Sequence, residues 1–232
     1  MENSVSCSHQ ACVSIVPIFN HLQPEQLSEV MQVVKNRTFK KGEILYRAED
    51  ISDALYIVNK GKIKIYRLSD TGKEQLIRIL NPGDFTGELA LFQDTTSEQE
   101  AYAEAMEDAS ICMIKRTDLQ NLLIKYPSIS LEILAEFSRR LEISEKQTAR
   151  FATEETDTRI ALFLAELVES DNANKNEMTV YLPMARKDLA SYLGTTPETL
   201  SRQLKKFENK KLIKQENNRK ITILDLDELL LV

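Results

Sequence analysis

The sequence predicts an α+β chain in three parts: a small antiparallel β-roll, a long helix and a C-terminal winged helix-turn-helix. Three observations carry this. Five of the six glycines fall between Gly42 and Gly87, punctuating short segments with strand character. A stretch without Gly or Pro follows Pro127. Two short amphipathic patterns then flank Gly194 and lead into a hairpin. The expected parts are a Cys-containing segment (1–20), the roll (21–126), the long helix (127–153) and the winged domain (154–232).

Pro24–Val34 has the spacing of a short amphipathic helix. Strand-like segments follow at Glu43–Tyr46, Ala54–Val58, Lys62–Leu68, Gln75–Leu80 and Ala109–Lys115. Lys62 to Tyr66 alternates polar and apolar, as a strand with one buried face does. The turn Ser69–Lys73 joins it to the next strand. After Asp118 the period changes. Leu134, Phe137, Leu141, Ser144, Thr148 and Phe151 recur at alternating steps of three and four, a heptad seam that predicts pairing with a second copy in a parallel dimer. The competing arrangement is an ordinary helix packed on the roll. Asp157–Glu169 reads as a further helix, and Ser170–Glu177 as a loop.

Composition is that of a globular chain, with 42% hydrophobic and 28% charged residues. No apolar run is long enough to span a membrane. The first residues lack a basic start followed by an apolar stretch, so a cytoplasmic protein is expected. Three cysteines are too few for a disulfide scaffold; in a reducing compartment such groups bind metal or sense redox state. The net charge is −6, yet Arg186 to Lys220 holds ten Lys/Arg against four Asp/Glu. That balance of +6 leaves about −12 elsewhere. One basic end on an acidic body fits contact with double-stranded DNA at one place; a solvated charged face is the alternative. An enzyme is not expected: the two histidines, His9 and His21, precede the roll, and no nucleophile–base pair is visible.

The stretch from Arg186 to Arg202 is the most informative. Leu189, Ala190 and Leu193 form the buried side of a first helix, and Gly194 allows the tight turn. Thr196 is the expected N-cap, with Pro197 at the first helical position. Leu200, Leu204 and Phe207 then face inward, while Glu198, Ser201, Arg202 and Lys205 face outward together. Arg can read guanine, Glu accepts from cytosine, and Ser adapts to several base edges. Thr196, Thr199 and Arg186 flank this set. Lys205, Lys206, Lys210 and Lys211 are suited to phosphates. Leu212–Gln215 and Lys220–Leu224, joined through Asn217-Asn218, form the wing.

These residues resemble the CRP/FNR family along nearly the whole chain. Asn81-Pro82-Gly83-Asp84-Phe85 followed by Gly87-Glu88-Leu89 is similar to its β-roll signature, and Gly194 to Arg202 to its helix-turn-helix. Glu198, Ser201 and Arg202 match the Glu-x-x-Ser-Arg motif of the FNR branch. The resemblance implies a cyclic-nucleotide-binding-like roll and a dimeric transcription activator. It also implies an operator of the form TTGAT, four bases, ATCAA, and contact with RNA polymerase through the Ser69–Lys73 hairpin and the Ser170–Glu177 loop.

The resemblance also frames the sensor. In CRP an Arg-Ser pair holds the phosphodiester of cAMP; the aligned positions here are Gln99 and Glu100, with no Arg between Phe92 and Met113. Glu98, Glu100 and Glu104 would repel a phosphate, so cAMP is not expected, and Glu88 is assigned to the fold. FNR proteins hold a [4Fe–4S] cluster by three N-terminal cysteines and one on a strand, a position matched by Cys112. The N-terminal group departs, offering Cys7 and Cys12 with His9 between them. Three arrangements are open. Cys7, His9, Cys12 and Cys112 can ligate an iron–sulfur cluster or zinc. An N-terminal cysteine can form a reversible disulfide with Cys112, as in FLP relatives. Cys112 can also be a plain buried residue. The implied function is a redox- or oxygen-responsive DNA-binding regulator. The alternative is the same fold gated by another small molecule, or constitutively active, with the cysteines unused.

Overall fold

The structure, a computed structural model, describes residues 16–51, 53–88, 92, 98–170 and 178–232. In chain order its first elements are α1 (Pro24–Val33), β1 (Lys35–Phe39), β2 (Ile44–Tyr46), β3 (Ala54–Lys60), β4 (Ile63–Leu68), β5 (Glu74–Leu80), β6 (Phe85–Thr86), β7 (Tyr102–Ala105) and β8 (Ala109–Lys115). They form two four-stranded sheets of order β1-β8-β3-β6 and β2-β7-β4-β5. The helices α2 (Arg116–Lys125) and α3 (Pro127–Thr153) follow. Within α3, between Leu141 and Glu142, the chain divides into two compact units.

Strands β3 and β8 read as nearly unbroken apolar runs because both their faces are covered. On one face Val58 and Ile111 join Ile63, Ile65 and Leu80 inside the roll. On the other, Leu55, Ile57, Cys112 and Ile114 pack with Val30, Leu119, Leu122, Ile129 and Ile133 from the helices. Each such aliphatic side chain contributes about 1.5–3 kcal/mol by leaving water. Strand β1 escaped the alternation test for a physical reason: Lys35 to Thr38 are exposed, and only Phe39 is buried. Its conformation comes from backbone pairing with β8, in a register that sets Asn36 opposite Cys112.

Helix α3 turns Ile129 and Ile133 into the helix-side core, with Phe137 packed against it. Leu134 and Leu141 of the predicted seam are exposed, and Leu131, which was not in that seam, is more exposed still at 68%. Phe137 and Phe151 have intrachain neighbours: Phe137 meets Phe92 edge-on at 6.0 Å, and Phe151 lies against Gly194. Thr148 donates to the Ser144 carbonyl at 2.8 Å, the usual way a helix absorbs a hydroxyl. His21 hydrogen-bonds Ser128 at 2.8 Å.

The second unit comprises Glu74–Leu76 at the start of β5 and the end of α3, followed by α4 (Thr156–Ser170), β9 (Thr179–Tyr181), α5 (Arg186–Tyr192), α6 (Pro197–Asn209), β10 (Ile213–Gln215), β11 (Lys220–Ile223) and α7 (Leu226–Leu229). Its sheet has the order β10-β11-β9, so the predicted wing hairpin gains a third strand. Leu189, Leu193, Leu200, Leu204, Phe207 and Ile221 are all buried. Cys7, His9 and Cys12, and the loop after Ser170, lie outside the described residues.

Candidate nucleic-acid interface and sensor site

Helix α6 begins as its sequence demands. Thr196 is extended at the N-cap, its hydroxyl accepts from the Thr199 amide at 3.2 Å, and Pro197 follows. Gly194 adopts φ +67°, and a Cβ there would come within 3.0 Å of the Phe151 ring. The buried stripe Leu200, Leu204 and Phe207 leaves Glu198, Ser201, Arg202 and Lys205 exposed together, with Thr199 half-buried. Among the described residues neither Ser201 nor Arg202 has a hydrogen-bond or ion-pair partner. The Glu198 carboxyl is held below its ordinary value by its own backbone amide and by the Thr196 hydroxyl, so it is an acceptor at neutral pH.

The other predicted contacts divide. Arg186 is turned to the wing: its guanidinium donates to Gln215 Oε1 at 2.8 Å and to the Asn218 and Asn217 carbonyls at 3.1 and 3.4 Å. Lys206 is tied to Asp157 at 3.1 Å, on the side of α4. Lys205 pairs with Glu208 at 2.9 Å, and Glu208 also accepts from the Gln215 amide. Lys210 and Lys211 remain exposed.

Inside the first unit charged groups gather around Glu88, whose Oε2 is buried without a hydrogen-bond partner among the described residues. Gly87, at φ +86°, passes so near β3 that a Cβ would meet the Ala54 carbonyl, and Glu88 follows it into the interior. Oε1 of Glu88 accepts from Arg78 at 3.0 Å and from Arg140 at 2.6 Å. Arg140 also donates to Glu136 at 2.6 Å and to the Phe85 carbonyl at 3.1 Å, and lies over the Phe85 ring at 4.3 Å. Burial pushes the Glu136 carboxyl up, but bonds from Arg139 and Arg140 outweigh it and hold the group below its ordinary value. Burial pushes the Tyr46 phenol up to about 12, and its hydroxyl bonds Thr86 at 2.7 Å. The assignment of Glu88 to the fold thus has a structural counterpart, whereas Arg78 and Arg140 were missed. The four-residue spacing of Glu136 and Arg140 on one helix was the available signal for the latter.

Cys112 is fully buried on β8, with Asn36 opposite it in β1 and Ile57 in β3. It is disulfide-bonded, and its Sγ lies 3.1 Å from Asn36 Oδ1. A sulfur bonded to sulfur is not a thiolate ligand, so Cys112 in this oxidised state does not fit the implied [4Fe–4S] cluster; the other candidate ligands, Cys7, His9 and Cys12, lie outside the described residues.

An outward polar helix face, a wing beside it and an antiparallel β-roll define a class: helix-turn-helix DNA-binding regulators that carry a β-roll domain. Residues 36–126 match the cyclic nucleotide-binding domain, and 158–231 the Crp-like helix-turn-helix domain. The probable transcriptional regulator flp of Lacticaseibacillus casei is 35% identical over 94% of this chain and 96% of its own. The transcriptional activator protein Anr of Pseudomonas protegens is 31% identical over 88% of this chain and 83% of its own. A solved CooA mutant from Carboxydothermus hydrogenoformans shares the fold, with a TM-score of 0.79 at 24% identity, covering 95% of this chain and 97% of that one. The chain belongs to the CRP/FNR family, whose members are transcription regulators rather than enzymes.

Proposed function

We propose that the protein is a cytoplasmic homodimer that reads the inverted repeat TTGAT, four bases, ATCAA and is controlled by the oxidation state of Cys112. The observation that carries the reading is the exposed face of α6, where Ser201 and Arg202 have no partner among the described residues on a helix whose back is buried. Arg202 is suited to a guanine edge, the ionised Glu198 to a cytosine amino group, and Ser201 to a neighbouring base. Thr196, Thr199, Lys205, Lys210 and Lys211 are placed for phosphates, while Arg186 supports the wing from behind. Leu131, Leu134 and Leu141 are the apolar surface offered to a second copy. A two-fold pair would set the reading helices about one DNA turn apart, roughly 34 Å.

For control, Cys112 and one of Cys7 and Cys12 lose two protons and two electrons to an oxidant such as peroxide or a small disulfide, and form one S–S bond. Reduction returns a thiol that can donate to Asn36 Oδ1. The turn at Ser69–Lys73, closed by the Gly72 amide on the Ser69 carbonyl, is the surface offered to RNA polymerase.

Binding of the full chain to operators altered one base pair at a time, oxidised and reduced, tests both halves. Arg202→Ala should remove about 1–3 kcal/mol of discrimination at one base pair. A uniform loss over all sequences would make Arg202 a phosphate contact. Cys112→Ser should erase the difference between oxidised and reduced protein; if the difference persists, the cysteine reading fails.

A further inference from the structure

Arg159 stands in the first turn of α4, where the positive end of its own helix disfavours a cation. Its contacts lie elsewhere. Nη1 donates to the Glu154 carbonyl at 2.7 Å, just past the end of α3, and Nε to the Leu193 carbonyl at 3.2 Å, the C-cap of α5. Nη2 donates to Thr156 Oγ1 at 3.2 Å, and the guanidinium lies over the Phe151 ring at 5.4 Å. One cation therefore caps the C-terminal ends of two helices at once, each presenting carbonyls without helical partners.

The Phe151 ring beneath it rests on Gly194, the turn residue from which α6 departs two residues later. Two further contacts run the same way. Gln147 donates to the Tyr192 carbonyl at 3.4 Å, and Arg150 pairs with Glu166 of α4 at 2.6 Å. The end of α3, the start of α4 and the turn between α5 and α6 thus meet at one guanidinium, and the Gln147 and Arg150 contacts join the same helices.

We propose that Arg159 is a positioning residue that sets the direction of α6 against the C-terminal end of α3. It touches no base; it decides where the reading face points when α3 is paired. Loss of its fork frees the Leu193 carbonyl and lets Phe151 move off Gly194. The reading helix then keeps its fold and its chemistry but loses its fixed separation from the partner's copy. This inference rests on the paired reading proposed above.

Selection from a random duplex library, with the full chain and with Arg159→Ala, separates the two ideas. The half-site word reports the reading face, and the distribution of spacer lengths reports Arg159. Wild type should favour one spacer over its neighbours by about tenfold, and Arg159→Ala should select the same word with that preference cut to about twofold. Arg159→Lys, which keeps the charge but not the fork, should lie between. If Arg159→Ala does not fold, Arg159→Lys and Phe151→Leu carry the test, both broadening the spacer distribution. An unchanged spacer distribution in the variants, or none fixed in wild type, overturns the inference. A different half-site word overturns only the reading proposed above.

Discussion

The interior of the roll and the face of α6 use the same residue types to opposite ends. In the roll, Glu88, Arg78, Arg140 and Glu136 are drawn together and spend their charges on one another. On α6, Arg202 and Ser201 are exposed with no partner among the described residues, and Glu198 is held by groups of its own helix end. Polar groups closed on each other stabilise a fold and are unavailable to a ligand; groups left open on a rigid backing are available to one. The charged groups inside the roll are thus largely paired with one another, whereas Ser201 and Arg202 on α6 face solvent.

The largest effect should come from opening the closed cluster. Arg140→Ala leaves the Glu88 carboxylate buried with one arginine, and should cost about 3 kcal/mol in denaturant unfolding. In a Glu88→Gln background the same change should cost much less, since the stranded charge is gone. Equal costs in both backgrounds would show that the pair is not coupled.

A smaller effect sharpens the contrast through pH. The folded-state Glu136 carboxyl lies below its ordinary 4.5. Its stabilisation is therefore fully present above that value and is lost as pH falls through the lower folded value. Wild type and Glu136→Gln should differ in stability at neutral pH and converge on acidification below about 4.5. A constant gap across that window would place the effect in packing rather than charge.

The smallest effect is on the other side. Ser201→Ala and Arg202→Ala should change unfolding free energy by no more than about 0.5 kcal/mol, because neither side chain has a partner to lose among the described residues. A clear loss of stability in either would break the contrast.

Much of this was legible in the residues. The strands β3 and β8, the N-cap Thr196 with Pro197, the turn at Gly194 and the split faces of α6 all follow from local spacing and turn chemistry. The strands that were missed, β1, β6, β7 and β9, have short or exposed segments whose conformation is imposed by a neighbour's hydrogen bonds. Arg186 illustrates the limit at the candidate site. Its position before the reading helix predicts DNA contact, yet the wing brings three acceptors to it that lie 29 to 32 residues away in the chain. Lys206 is diverted in the same way by Asp157.

The sequence alone determined the order of the parts and the inward and outward faces of α5 and α6, since periodicity and capping act over a few residues. Only the tertiary structure decided which charges are spent and which are open. Arg140 on Glu88, Arg159 on two helix ends and Cys112 beside Asn36 join positions far apart in the chain. Their energies depend on burial and approach, which no local pattern encodes.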